Sequence, residues 1–295
     1  KLTVTATLKN GTKTVTQTLT EGVDYKVTYK NNKAVSTDKA KASYAVTFLG
    51  NYKGAKLDNA DTTFTITEAS LKDAQIIVGD MLYNAKSTKY GKYFQKPNVV
   101  LNGVLLAKNE YTVTYYDAKN NELKASDVLE LSAENPTQVI KVKISASAKS
   151  KNYKDAGNLN PTATYTVRFD AKAGQEGAKI DISKAKITLA DVNGKKVSKV
   201  SYTGKEITFD PADETDGYTN QAILTVTIGN PKKGGVALKG KEVYDHFDVT
   251  YANNVAKGKA TIILTPKAEG TTYIGTRTGA FTIAAANVKT GMRVN

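Results

Sequence analysis

One strand pattern, present three times, constrains this chain more than any other feature. It runs Asp24-Tyr25-Lys26-Val27-Thr28-Tyr29-Lys30-Asn31-Asn32, returns as Glu110-Tyr111-Thr112-Val113-Thr114-Tyr115, and returns again as His246-Phe247-Asp248-Val249-Thr250-Tyr251-Ala252-Asn253-Asn254. Each copy alternates apolar and polar residues with period two, the spacing of a strand with one buried face. Tyr25, Val27 and Tyr29 share one parity, as do Phe247, Val249 and Tyr251 in the third copy. These residues are expected to form the core strand of each repeat, with Asp, Lys and Thr turned to water. A strand motif in triplicate predicts a repeat architecture.

The rest of the chain follows the same rhythm. Around the first copy, Leu2–Leu8 and Thr14–Leu19 read as strands joined at Asn10-Gly11, Tyr44-Ala45-Val46-Thr47-Phe48 alternates again, and Thr62–Thr67 closes the unit. The second repeat has Pro97–Leu101 turned by Asn102-Gly103, then Gln138–Ile144 and the closing Ala163–Phe169. The third has Ala222–Ile228, Ala260–Leu264 and the closing Gly279–Ile283. Thr, Val, Tyr and Ile crowd these segments, as pleated sheets prefer, and helical periodicity is nearly absent. The expected class is all-β, in three modules: 1–67, 68–170 and 171–284, with 285–295 a tail or the start of a further repeat. Ala171–Gly177 is the expected linker between the second and third, small and turn-rich. Starting within a strand pattern and without a signal peptide, the chain reads as a mature fragment or as a piece cut from a longer chain.

Composition narrows the chemistry. Without cysteine the modules must hold by core burial alone. No apolar run is long enough for a membrane-spanning helix. The net charge of +14 is almost entirely lysine, because arginine occurs only at 168, 277 and 293. Specific nucleic-acid readers concentrate arginine on one face, whereas this excess is spread over all three repeats. Solubility and protection of strand edges explain it better, and no specific nucleic-acid partner is expected.

A catalytic triad needs a base that titrates near neutrality, and the single histidine, His246, sits on the polar parity of its strand. It reads as a solvated surface residue. Zinc sites of His and Cys are excluded for lack of ligands. Asp210, Asp213, Glu214 and Asp216 could gather around calcium, but they lack the EF-hand spacing and read as a solvated loop. No phosphate-cradling glycine motif follows a strand. No catalytic, cofactor-binding or metal-binding residue is therefore assigned, no cofactor is expected, and the chain is read as no enzyme. Seventeen tyrosines without tryptophan leave sugar stacking open. Tyr25, Tyr29, Tyr111, Tyr115 and Tyr251 are nonetheless expected in cores, and the loop tyrosines Tyr52, Tyr153 and Tyr273 are expected to pin their loops onto their own modules.

Tyr202-Thr203-Gly204-Lys205, the run Gly22 to Asn32, Gly50-Asn51-Tyr52-Lys53-Gly54 and Phe64-Thr65-Ile66 together resemble the tandem bacterial Ig-like or MBG-like β-sandwich repeats of Gram-positive surface and secreted proteins. The second repeat departs from that pattern at Lys151-Asn152-Tyr153-Lys154-Asp155, where both glycines are missing. The resemblance implies three Ig-like β-sandwich modules in an elongated arrangement, outside the cell or attached to the cell wall. It implies a non-catalytic spacer, stalk or adhesive segment whose partners are adjacent domains of a larger protein and an extracellular protein or glycan. The alternative is a carbohydrate-binding or host-adhesin module with a site in loops of the second or third repeat. Some surface β-domains of this kind carry a Lys–Asn or Lys–Asp isopeptide cross-link, but no lysine here stands on an obviously apolar face.

Overall fold

The structure, a computed structural model, describes residues 2–58, 61–170, 178–211, 222–267 and 272–285. The linker Ala171–Gly177, the acidic residues Asp213, Glu214 and Asp216, and the tail beyond 285 lie outside the described residues. Strands dominate, and the only α-helix among the described residues is the six-residue Lys241–His246. The chain divides into two compact units, Lys1–Ala69 with Lys149–Lys154, and Ser70–Ala148 with Asp155–Asn295.

In the first unit, the strands Thr5–Asn10 and Lys13–Thr18 form a hairpin whose loop begins at Gly11, φ +62°. A second sheet has the order Tyr25–Lys30, Ala42–Phe48, Thr63–Phe64. Val4, Leu19 and Tyr25 are the buried centre, with Val27, Val46, Phe48 and Tyr52 packed around them.

The third repeat has two four-stranded sheets facing each other. One orders Lys196–Val197, Lys186–Ala190, Ile223–Ile228 and Val236–Lys239; the other orders Lys199–Ser201, Arg277–Ala284, Gly258–Pro266 and Phe247–Ala252. Leu189, Leu224 and Val226 of the first meet Phe247, Ile262, Leu264 and Phe281 of the second in one core. The second repeat reproduces the latter sheet: Tyr111–Tyr116, Thr137–Ala146, Thr162–Arg168 and the short Met81–Leu82. In both, the short strand, Lys199–Ser201 or Met81–Leu82, joins the closing strand in parallel. The first unit keeps the same first three members, so the sequence repeat is a repeat of sheet topology.

All three motif copies are strands, but each lies at the edge of its sheet, not at its centre. The apolar side of the motif supplies core residues, as expected, while the central position in each sheet belongs to the strand that follows. Only the first aromatic of each copy is fully buried, Tyr25, Tyr111 and Phe247. Tyr29 is 51% exposed, against expectation. Its sheet is three strands wide and ends in a two-residue strand, whose Phe64 meets the Tyr29 ring edge-on at 6.5 Å.

The second repeat explains its tyrosines differently. Residues 93–97 run beside the sheet outside any ladder, and carbonyls there need donors. Tyrosine hydroxyls supply them at every second residue: Tyr165 donates to the Tyr93 carbonyl at 2.5 Å, Tyr115 to that of Gln95 at 2.6 Å, and Tyr111 to that of Pro97. The Tyr115 ring also stacks on Phe94 at 4.0 Å. Burial pushes the Tyr115 hydroxyl up to about 12 and raises those of Tyr111 and Tyr165 further. A raised tyrosine pKa leaves stability intact below its unfolded value, about 10. Above that, the unfolded chain ionises first, and stability is lost as pH climbs through the folded value. Denaturant titrations on either side of pH about 10 should show the second repeat weakening on the alkaline side, and Tyr115→Phe should blunt that slope.

The second and third repeats also share a contact of their own. Ile77, Val100 and Ala252 are buried together with Ile263, and Leu105 packs against them. Ile263 points away from the third repeat's core, which takes its neighbours Ile262 and Leu264. The strand Gly258–Pro266 is thus buried on both faces, and the non-alternating run Thr261-Ile262-Ile263-Leu264 is the reason. At one end, the Asn102-Gly103 turn, both residues at positive φ, accepts the Asn253 N–H on the Gly103 carbonyl at 2.7 Å. At the other, Gly79 lies so close that an added Cβ would stand 2.8 Å from the Gly275 carbonyl oxygen. The Gln95 side chain grips both backbone groups of Gly79. Gly79→Ala should push the repeats apart at this point, costing about 1–3 kcal/mol and speeding amide exchange around Gly275.

Candidate ligand cleft

Where the two repeats diverge from this contact, a cleft of about 840 Å³ opens. One wall comes from the strand Thr162–Arg168. Its alternation buries Tyr165 and Val167 and turns Thr164, Thr166 and Arg168 into the cleft. The Val78-Gly79-Asp80 segment lies beside it. The opposite wall comes from the third repeat: Asp248, its cross-strand partner Thr265, and Pro266-Lys267, with Lys179 and Tyr273-Ile274-Gly275.

The charges are held in place. Asp80 accepts the Thr166 N–H at 2.8 Å and the Arg168 Nε–H at 2.7 Å. That ion pair fixes the guanidinium while leaving the Arg168 side chain 40% exposed. The Lys267 N–H donates to the His246 carbonyl at 3.0 Å, which anchors the lysine's backbone. A smaller cleft of about 370 Å³, lined by Thr208, Asp210, Tyr244 and Tyr251, shares Asp248 and Lys267 with the first. In it, the hydroxyls of Tyr244 and Tyr251 meet at 2.6 Å, and Tyr251 accepts the Phe209 N–H at 3.0 Å. Burial raises the Tyr244 hydroxyl far above its ordinary range.

The residues singled out in the sequence do not converge on one site. His246 is exposed, as expected, but it ends the short helix instead of lying in the strand, with its ring 5.3 Å from Tyr273. Tyr52 and Tyr273 pack on the cores of their own repeats, as expected. Tyr153 departs from that expectation. Its loop, Lys149–Lys154, belongs to the first unit, where the Asn152 carbonyl accepts the Ala69 N–H at 2.9 Å. Of the four acids considered for calcium, Asp210 alone is described. Among the described residues no group of three or more His, Cys, Asp or Glu side chains gathers as a metal site would require. No helix of the described residues is long and apolar enough to cross a membrane.

One lysine escaped the sequence reading. The Lys108 ammonium donates to the carbonyls of Lys96 and Pro97 and to Asn98 Oδ1, the last at 3.1 Å. Burial, and then the like charge of Lys96, lower its pKa. Its three partners are neutral oxygens. The arrangement ties the tyrosine-held segment to the loop before the motif strand, and no sequence periodicity marks it because Lys108 lies in a turn.

No family model matches the chain, and neither a curated protein nor a solved structure is found similar to it.

Proposed function

We propose that this chain is a non-catalytic structural and adhesive repeat segment, a spacer or stalk of a bacterial cell-surface or secreted protein, built of Ig-like β-sandwich repeats in an elongated arrangement. The supporting observation is the joint between the second and third repeats. Tandem domains linked by a flexible tether swing freely, whereas here Ile77, Val100, Ala252 and Ile263 bury one another and two backbones meet at Gly79 and Gly275. A joint of this kind resists bending, which a spacer needs and a self-contained enzyme does not. The lysine excess suits a solvated outer surface with guarded strand edges. In this reading the partners are adjacent domains of a larger protein and an extracellular protein or glycan.

Small-angle scattering of the whole chain tests the proposal. A compact body of this length would have a radius of gyration of about 19 Å. A spacer should exceed that clearly and give a distance distribution with a long tail. A symmetric distribution near the compact value would sink the reading.

A further inference from the structure

We infer that the cleft between the second and third repeats binds an acidic oligosaccharide. This goes beyond the spacer reading and does not depend on it: a spacer without a ligand would be just as stiff. Clefts of this size at the junction of two domains are the usual place for a ligand. Its third-repeat wall is carried by the strands Phe247–Ala252 and Gly258–Pro266, which also bear Ala252 and Ile263 of the apolar contact, so that wall is set before anything binds.

Two cations in it point to the ligand. Arg168 spends Nε on Asp80, and its two Nη groups make no hydrogen bond to a described residue. A guanidinium held this way presents the rest of its fork to a carboxylate or sulfate. The Lys267 ammonium and the Asp248 carboxylate on the opposite wall likewise carry no hydrogen bond to a described residue. With Asp80 engaged by Arg168 and the Thr166 N–H, the Arg168 fork and the Lys267 ammonium face the cleft against the one carboxylate of Asp248, so an anionic ligand is favoured over a neutral one.

The lining also includes Thr164, Thr166 and Thr265, whose hydroxyls both donate and accept. Cations together with hydroxyls suit a chain of sugar rings bearing carboxylates and free hydroxyls. An acidic peptide is a poorer match. Of the apolar residues in the lining, Tyr165, Tyr273 and Ile274 are buried and offer no socket for side chains. The lining takes Thr164, Thr166, Arg168, Asp248 and Thr265 from strands, and Asp80, Lys179 and Lys267 from the segments between strands.

Calorimetric titration of the whole chain tests the inference with two tetrasaccharides, one of alternating glucuronate and N-acetylglucosamine, the other of N-acetylglucosamine alone. The acidic one should bind saturably and the neutral one at least tenfold more weakly. Arg168→Lys, which keeps the charge but loses the fork, should weaken acidic binding about tenfold, and Lys267→Ala should do likewise. Lys9→Ala with Lys13→Ala, which removes as much charge or more from the first unit, should leave affinity unchanged. Unaltered melting temperatures would show that the variants remain folded. Equal binding of both sugars, equal weakening by the first-unit variant, tighter binding of an acidic tetrapeptide, or no saturation at millimolar ligand would each overturn the inference. Scattering decides the spacer reading separately, so the two can fail independently.

Discussion

Replacement of Ile263 by aspartate is expected to split one calorimetric transition into two. Ile263 is fully buried, yet it contributes nothing to its own repeat's core. A carboxylate there would lie against Ile77 and Val100 without a partner, and burying an unpaired charge costs several kcal/mol. The cheapest escape is to separate the repeats, which then melt one at a time, the second ahead of or behind the third. Ile262→Asp is the contrasting variant. Its side chain enters the third repeat's core, so the third repeat itself should fail to fold while the second survives. A parent chain whose second and third repeats already melt separately would contradict this account of the joint.

The other large effect concerns the tyrosine hydroxyls of the second repeat. Tyr165→Phe keeps the ring in the core and removes the donor to the Tyr93 carbonyl. Tyr111→Phe does the same for Pro97. An unsatisfied buried carbonyl costs about 1–3 kcal/mol, and each substitution should therefore destabilise by about that amount. Together they should cost somewhat more than either alone, because both hold one segment. Tyr29→Phe is the control. Its ring is half exposed on the first unit, and the change should stay within about 0.5 kcal/mol. Urea titrations followed by tyrosine fluorescence measure all three. Equal losses at Tyr29 and Tyr165 would mean that the hydroxyl bonds carry no weight.

Residues that read alike in the sequence act differently in the structure. Tyr25, Tyr29, Tyr111 and Tyr115 hold matching places in one alternating pattern, and the pattern correctly marks strands. Period two says which residues share a face. It does not say what covers that face. Tyr111 is covered because Lys96 and Pro97 cross it, with the Lys96 ammonium 5.4 Å above its ring. Among the described residues no such segment covers Tyr29, and it stays wet. Likewise the pattern could not place the motif strand at the edge or the centre of its sheet, since an edge strand with one buried face alternates just as an inner one does.

The contact between the repeats left a fainter trace. Val99-Val100-Leu101 and Ile262-Ile263-Leu264 break the alternation with consecutive apolar residues, and such runs belong to strands covered on both sides. Both were legible as strands, and their second buried face was legible in principle. Their meeting was not, because nothing in a run of Val, Leu and Ile specifies which other run it covers. The cleft was least legible of all. Asp80, Arg168, Asp248 and Lys267 are scattered over almost two hundred residues, and each looks like an ordinary outward-facing charge.

The repeated Asp-Tyr-x-Val-x-Tyr pattern, by itself, determined that the chain is all-β and where most of its strands lie, because side-chain alternation is a local property of the extended backbone. Its Asn-Gly at 102–103 also determined a hairpin turn, through the positive φ that those two residues tolerate. Only the tertiary structure decided that the motif strand is an edge, that tyrosine hydroxyls hold an unladdered segment, and that the second and third repeats share a buried contact with a charged cleft beside it. Those features depend on which surfaces meet across long stretches of chain, and a periodic pattern carries no address for its partner.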